Sequence, residues 1–297
     1  MKSNYKFLNS NTFSKINNLS LRAKYVVDGF IIGLHKSPFH GFSAEFSDHR
    51  LYQKGDEIKH IDWKLWAKTD RFYVKQFEDE TNLRCQILLD QSKSMQFKSI
   101  NISKIDYSIN LSASLMYLML KQQDAVGLSM FDSKMRTHIE PHSKQSHLNK
   151  LYSALSSIKP NGKTDVSSML HKTAEGIKKR GLIILISDLC DDVDKIISGL
   201  KHFKFKGHEL IVFHILDPQE LLMSYKNKTK FIDLETETVI ETDPWHIKNE
   251  YIKKINEHIN NLKNVCGKNK IDYVQLQTDK PLDIALTSYL RKRTNLH

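Results

Sequence analysis

Five short apolar runs, separated by longer segments with helical periodicity, constrain the fold of this chain more than any other feature. Each run is continuous rather than alternating, as expected for strands that are buried on both faces of a sheet. The runs are Cys85–Asp90, Ala125–Phe131, Leu182–Ser187, Leu210–Leu216 and Ile271–Leu276. Strands that alternate with helices are typical of βαβ units. We therefore predict an α/β fold with a mostly parallel sheet flanked by helices.

The segments around these runs refine the prediction. Apolar residues recur at helical spacing over 105–119 and 252–262, and 283–293 has the pattern of a terminal amphipathic helix. Residues 137–140 follow 125–131 too closely for a crossover helix, which predicts one antiparallel strand at an edge of the sheet. A hairpin is predicted over 230–243.

The first 80 residues differ in character from the rest of the 297-residue chain. A helical pattern near 21–30 precedes short aromatic-rich strands that are punctuated by Pro38, Gly41 and Gly55. Because the chain is long enough for one large domain and a smaller attachment, we predict a small N-terminal helix and β subdomain over 1–80. The α/β domain is then predicted over 81–297.

Composition excludes several classes of protein. The longest apolar runs fall far short of the roughly 18 residues of a membrane helix, and the first twenty residues lack the apolar region of a secretory signal, so we predict a cytoplasmic protein without a membrane span. Three cysteines without CxxC spacing suggest neither disulfides nor a zinc knuckle. The net charge of +11 is spread along the chain, which favours a solvated surface over nucleic-acid binding.

The first apolar run ends in a turn rich in oxygen donors. Asp90, Ser92 and Ser94 occupy alternate positions after the strand and therefore point the same way in an extended turn. In open α/β sheets ligands bind at the carboxyl edge. One carboxylate and two hydroxyls at that edge can converge on a single hard cation.

Two further oxygen donors come from distant parts of the chain. Thr164 lies in the turn 162–165 just before a predicted helix, and Asp188 directly follows the run 182–187. Each also has an ordinary interpretation, since Thr164 could simply be a helix N-cap and Asp188 a loop residue that caps the next helix.

Taken together, the Asp-x-Ser-x-Ser, Gly-x-Thr and Ser-Asp segments resemble the metal-ion-dependent adhesion site of the von Willebrand factor A family, whose fold is a Rossmann-like α/β sheet. The sequence around them is similar to the bacterial von Willebrand A-like proteins of the domain-of-unknown-function family numbered fifty-eight, which are often encoded beside MoxR-type AAA+ ATPases. The residues that carry this similarity are Gly41, Glu45, Phe46, Arg50, Tyr52, Gly55, Asp56, Ile61, Asp62, Trp63, Lys64, Ala67, Val74, Lys75, Phe77, Leu216–Pro218 and Phe231–Leu234.

The resemblance extends from about Leu21 to Leu290. It implies the metal ligands Asp90, Ser92, Ser94, Thr164 and Asp188, with Mg²⁺, or Mn²⁺ or Ca²⁺, as the ion. One departure is Lys68, which stands where the family string has an arginine.

This site predicts a metal-dependent protein-binding module rather than an enzyme. Three of the five ligands are neutral hydroxyls, so a bound Mg²⁺ would keep an exchangeable water that a partner's carboxylate can replace. The resemblance implies a MoxR-type AAA+ ATPase or its client as that partner. For the nearby cluster of Arg50, Asp56, Asp62 and Lys64 we predict only ion pairs that hold the small subdomain together.

Two other functions remain alternatives. Asp90 could accept a phosphoryl group beside Mg²⁺, but the position two residues on, which would need an acid or base, is Ser92. A nucleic-acid-binding protein rests on charge alone. A P-loop at Gly162–Thr164 is rejected because the glycine that the motif requires five residues earlier is Ser157 and Pro160 interrupts the loop.

Overall fold

The computed structural model describes residues 18–35, 49–52, 63–69, 71–75, 83–158, 160, 166–225, 227–234 and 238–296. Thr164, Asp56 and Asp62, and the side chains of Arg50 and Lys64, lie outside what the structure describes. The ion-pair cluster that involves the last four of these residues therefore stays a prediction.

Within the described ranges the chain forms helices and strands in the predicted alternation. The helices are α1 Leu19–His35, α2 Trp63–Thr69, α3 Lys104–Lys121, α4 His147–Ser156, α5 Val166–Gly176, α6 Val193–Phe205, α7 Pro218–Leu222, α8 Pro244–Lys268 and α9 Asp283–Thr294. The strands are β1 His49–Leu51, β2 Tyr73–Lys75, β3 Arg84–Asp90, β4 Ala125–Phe131, β5 Met135–His142, β6 Leu182–Ser187, β7 Glu209–Leu216, β8 Thr229–Ile232, β9 Val239–Thr242 and β10 Asp272–Gln277.

The main sheet has six strands in the order β10-β7-β6-β3-β4-β5. Neighbouring strands are parallel except for β5, which pairs antiparallel with β4 at one edge. The fold class and the antiparallel edge strand are thus confirmed. Four of the five predicted strands are buried, whereas β10, at the other edge of the sheet, is mostly half-buried. β8 and β9 form the predicted hairpin, and β1 and β2 form a separate antiparallel pair in the N-terminal region.

Successive residues of the central strands pack on opposite faces of the sheet. Ile87 and Leu89 join a core on one face with α1, α3, α4 and α9, whereas Leu88 joins a second core with α5, α6 and α8. Burial on both faces explains why the strand sequences are continuously apolar.

Helix α1 packs into the core of the α/β sheet. Val26, Val27 and Phe30 are buried in the same cluster as Leu111 and Leu115 of α3. Helix α1 therefore shares a hydrophobic core with the sheet, while the boundary near residue 80 stays a prediction. In the part of the chain that the structure describes, no helix combines the length and apolarity that crossing a membrane would require.

Candidate metal site at the carboxyl edge of the sheet

Strands β3 and β6 lie side by side and end at the same edge of the sheet. Their register pairs Leu89 with Ile186, so the next residues, Asp90 and Ser187, are also neighbours. The Ser187 hydroxyl donates a hydrogen bond of 2.7 Å to Asp90 Oδ2, and the backbone N–H of Ser92 donates one of 2.9 Å to Asp90 Oδ1. Both oxygens of the Asp90 carboxylate are therefore held in place.

The two hydroxyls of the Asp-x-Ser-x-Ser turn meet as the sequence predicts. Ser92 Oγ and Ser94 Oγ lie 3.0 Å apart, and the Ser94 side chain is close enough to the Asp188 carboxylate to help lower its pKa. The structure thus brings together four of the five predicted ligands, namely Asp90, Ser92, Ser94 and Asp188. Asp188 does not cap the next helix, because Asp192 is the N-cap of α6. The fifth predicted ligand, Thr164, lies outside the described residues.

Both carboxylates of the site are buried. Asp90 and Asp188 have no solvent-exposed area. Burial, and then the negative charge of Asp188, raise the pKa of Asp90 to about 7, although hydrogen bonds from Ser187 and Ser92 oppose the shift. Each carboxylate therefore disfavours the charge of the other, which is the electrostatic setting that a bound cation would relieve.

Lys104 is a buried cation beside the site that the sequence analysis did not identify. Its Nζ lies 2.8 Å from Asp188 Oδ2 and 2.6 Å from Glu220 Oε1, and its side chain is 1% exposed. Burial raises the pKa of Asp188, but the ion pair with Lys104 outweighs it and holds that pKa below its ordinary value. The two carboxylates therefore differ in protonation although both are buried.

A local signal for Lys104 exists in the sequence. Ser103 caps α3 by accepting a hydrogen bond from the backbone N–H of Asp106, which makes Lys104 the first residue of the helix. A lysine there opposes the helix dipole. A lysine at the start of an apolar helix therefore indicates that a nearby carboxylate offsets this unfavourable charge. The partner Glu220 lies more than a hundred residues away and has no such signal.

Two histidines fix the loop that carries Asp188. His214 Nε2 lies 2.8 Å from the carbonyl oxygen of Asp188, and His258 Nε2 lies 3.2 Å from that of Leu189. Burial lowers the pKa of His214 to about 4, so its ring is neutral at pH 7. Since each of these nitrogens contacts a carbonyl, they position the loop rather than offer themselves as metal ligands.

The donors at this edge fit a hard divalent cation. Carboxylate and hydroxyl oxygens are the ligands that Mg²⁺, Mn²⁺ and Ca²⁺ prefer. Among the described residues, no group of three or more His, Cys, Asp and Glu side chains is arranged to hold a metal ion, so the donor set does not match a zinc site. The described oxygen donors at this edge are two buried carboxylates, whose pKa values differ, and two hydroxyls.

The sheet order, the antiparallel edge strand, the helices on both faces and the Asp-x-Ser-x-Ser turn after β3 define a von Willebrand factor A-like α/β protein. A fold does not by itself assign a function. The chain belongs to the family described as Protein of unknown function DUF58, which matches residues 48–261.

Individual relatives agree with this family and fold. The uncharacterized protein Rv1480 of Mycobacterium tuberculosis is 23% identical over 226 residues, which cover 75% of this chain and 71% of the relative. An aerotolerance-related membrane protein from Bacteroides fragilis superposes with a TM-score of 0.51 and 18% identity, covering 71% of this chain and 99% of that protein. The conserved hypothetical protein BatB from Bacteroides thetaiotaomicron gives 0.51 and 17%, covering 72% and 100%. None of these names assigns a catalytic activity.

Proposed function

We propose that this protein is a metal-dependent protein-binding module that works with a MoxR-type AAA+ ATPase or its client. The observation that supports this most directly is the convergence of Asp90, Ser92, Ser94 and Asp188 at the carboxyl edge of the sheet. Together with Thr164 they would hold Mg²⁺, or Mn²⁺ or Ca²⁺. The cytoplasm as the place of this contact stays a prediction.

The charges of the site support a contact with an acidic partner. The hydroxyls of Ser92 and Ser94 are neutral, and Lys104 already occupies one oxygen of Asp188. When bound, the metal would supply a positively charged coordination position that an Asp or Glu side chain of a partner can take. A carboxylate at the centre of an interface contributes to affinity far more than charges at its rim.

The proposed contact can be tested with a purified MoxR-type ATPase encoded in the same genome. We expect binding in Mg²⁺ to weaken roughly 30-fold or more when a chelator is added, or when Asp90 is replaced by alanine, because loss of a central anchor costs about 2 kcal/mol. The matched control is Asp194→Ala, which removes an exposed aspartate from α6. Equal affinity with and without chelator, measured by biolayer interferometry, would rule out the metal-dependent contact.

The same geometry argues against phosphoryl transfer. Both oxygens of Asp90 accept hydrogen bonds from Ser92 and Ser187, and the side chain two residues on is a serine without acid or base function at neutral pH. We therefore expect no turnover of p-nitrophenyl phosphate or ATP by the purified protein. A rate above about 1 s⁻¹ that disappeared in Asp90→Ala would favour the hydrolase instead.

A further inference from the structure

A cavity lies at the amino edge of the main sheet, on the side opposite to the candidate metal site. It has a volume of about 550 Å³ and is bordered by the first residues of β3 and β6, the end of β5 and the segment after α5. This volume is in the range of small-molecule sites. Its apolar walls include Ile177, Leu182 and Ile183.

The charged lining of the cavity is mainly positive. Arg84, Lys178 and Lys179 contribute three cations, and Glu140 contributes one carboxylate, which lies 3.0 Å from the ring Nε2 of His138. Within the described part of the chain, none of the three cations forms an ion pair. Among the residues that the structure describes, the cavity therefore presents three cations that form no ion pair.

A buried imidazole also borders this cavity. His208 is 2% exposed, and its Nδ1 is buried without a hydrogen-bond partner in the described structure. Burial lowers the pKa of His208, although the backbone carbonyls of Gly181 and Ile177 oppose the shift, so the ring is neutral near pH 7. Since Nδ1 has no exposed surface and the ring lies beside the backbone carbonyls of Gly181 and Ile177, the imidazole belongs to the wall of the cavity and can report on what fills it.

The helix dipole explains the positions of the two lysines but not those of the other two groups that line the cavity. Lys178 and Lys179 follow the carboxyl end of α5, where cations offset the helix dipole. That explanation does not extend to Arg84, which begins a strand, or to His208, which begins no helix and is buried. The four groups share only the cavity.

We propose that this cavity binds a small phosphate-bearing molecule, with Arg84, Lys178 and Lys179 around the phosphate and the His208 ring in the wall beside it. A phosphate group carries close to two negative charges near neutral pH and accepts several hydrogen bonds, and an arginine fork matches its oxygens. The apolar wall next to the cations leaves room for an organic body. This site is independent of the metal site, which lies at the other edge of the sheet.

The test uses inorganic phosphate and adenosine monophosphate, each titrated into the full chain in the presence of a chelator. The ring resonances of His208, assigned by comparison with His208→Gln, should shift in a saturable manner. Lys178→Gln combined with Lys179→Gln should weaken binding at least tenfold, and both lysines are exposed, so the fold is retained. Tighter binding of adenosine monophosphate would identify a nucleotide-like source, whereas equal binding would identify free phosphate.

The matched control is Lys253→Gln combined with Lys254→Gln, an exposed pair on α8 that changes the net charge equally. We expect this control to bind phosphate as the unmodified protein does. An adventitious ion only would be indicated if both lysine pairs weakened binding to the same extent, or if phosphate bound without moving the His208 resonances. Absence of saturable binding of either compound up to about 10 mM would also overturn the proposal.

Discussion

Asp90 is an acid whose burial and charged neighbour both disfavour its ionised form. It is fully buried, it faces the charge of Asp188, and its pKa is raised to about 7. An acid whose folded pKa lies above its unfolded value of about 3.9 takes up a proton on folding between those two pH values. The stability of the metal-free protein that depends on Asp90 is therefore present at low pH and is lost as the pH rises towards 7.

Asp90→Asn should remove this loss of stability at higher pH, because an amide does not ionise. An amide can accept from the Ser92 N–H and donate to Ser187 Oγ, so the local hydrogen bonds can be kept. In chelator, we expect the variant to gain stability relative to the unmodified protein between pH 5 and 8, by roughly 2–4 kcal/mol. Urea unfolding at several pH values measures this difference.

The difference in stability between Asp90→Asn and the unmodified protein reports on Asp90 and not on His214. The folded pKa of His214, about 4, lies below the unfolded value, so its contribution to stability rises with pH up to about 6.5 and opposes that of Asp90. Since His214 is present in both proteins, its effect cancels. A stability difference that did not change with pH would mean that Asp90 is already ionised in the metal-free fold.

The sequence predicted which residues form the candidate metal site, but not their burial or the charges beside them. Asp90, Ser92 and Ser94 could be assigned because a strand end imposes a two-residue periodicity, and Asp188 because it ends a strongly apolar run. The complete burial of both carboxylates, and the ammonium of Lys104 beside one of them, depend on contacts between residues that are far apart in the sequence.

Three elements meet at the Lys104 side chain. Lys104 begins α3, Asp188 follows β6, and Glu220 belongs to the capping box of α7, where Asp217 is the N-cap. Tyr251 of α8 donates a hydrogen bond to the carbonyl oxygen of Glu220, which extends the connection to the longest helix. The ammonium therefore couples the metal site to α7 and α8, while its charge opposes a cation at Asp188.

Lys104→Met should separate these two effects. Removing one partner of a buried ion pair leaves Asp188 and Glu220 uncompensated, which should destabilise the metal-free protein by about 3–5 kcal/mol. Affinity for Mn²⁺ should rise by about tenfold or more, because an opposing positive charge is lost and an Asp188 oxygen is freed. Thermal unfolding and calorimetry with and without Mn²⁺ measure the two quantities.

A control for this variant lies at the other end of the same helix. Lys121 pairs with Asp28 at 3.5 Å and is about half exposed, so Lys121→Met should change stability by less than about 1 kcal/mol and leave metal affinity unaltered. If Lys104→Met alone does not fold, the double variant with Glu220→Gln removes one of the two uncompensated charges. Unchanged or weaker Mn²⁺ binding in a folded variant would show that Lys104 does not oppose the ion.

The elements themselves were the most predictable part of the structure. Each of the five apolar runs became a strand within about one residue of its predicted bounds. In β3, β4, β6 and β7 burial on both faces leaves little choice of residue, whereas β10 is a half-buried edge strand. The antiparallel edge strand followed from the short connection between β4 and β5. Packing of α1 against α3 did not follow from any local pattern, since it joins segments some 80 residues apart.

The two edges of the sheet differ in chemistry across the whole molecule. The carboxyl edge carries the buried carboxylates and hydroxyls of the candidate metal site, whereas cations surround the cavity at the amino edge. The sequence shows an even spread of positive charge. Only the fold brings Arg84 to Lys178 and Lys179, because β3 and β6 are neighbours in the sheet but lie almost a hundred residues apart.

The most direct test of the account is a calorimetric titration of Mn²⁺ or Mg²⁺ into chelator-treated protein that has been returned to metal-free buffer. We predict one site, whose affinity increases as the pH rises to about 7 because the metal competes with the proton on Asp90. Asp90→Ala should abolish binding and Asp194→Ala should preserve it. Binding of equal strength in Asp90→Ala, with the fold intact by circular dichroism, would contradict the assignment of this edge as the metal site.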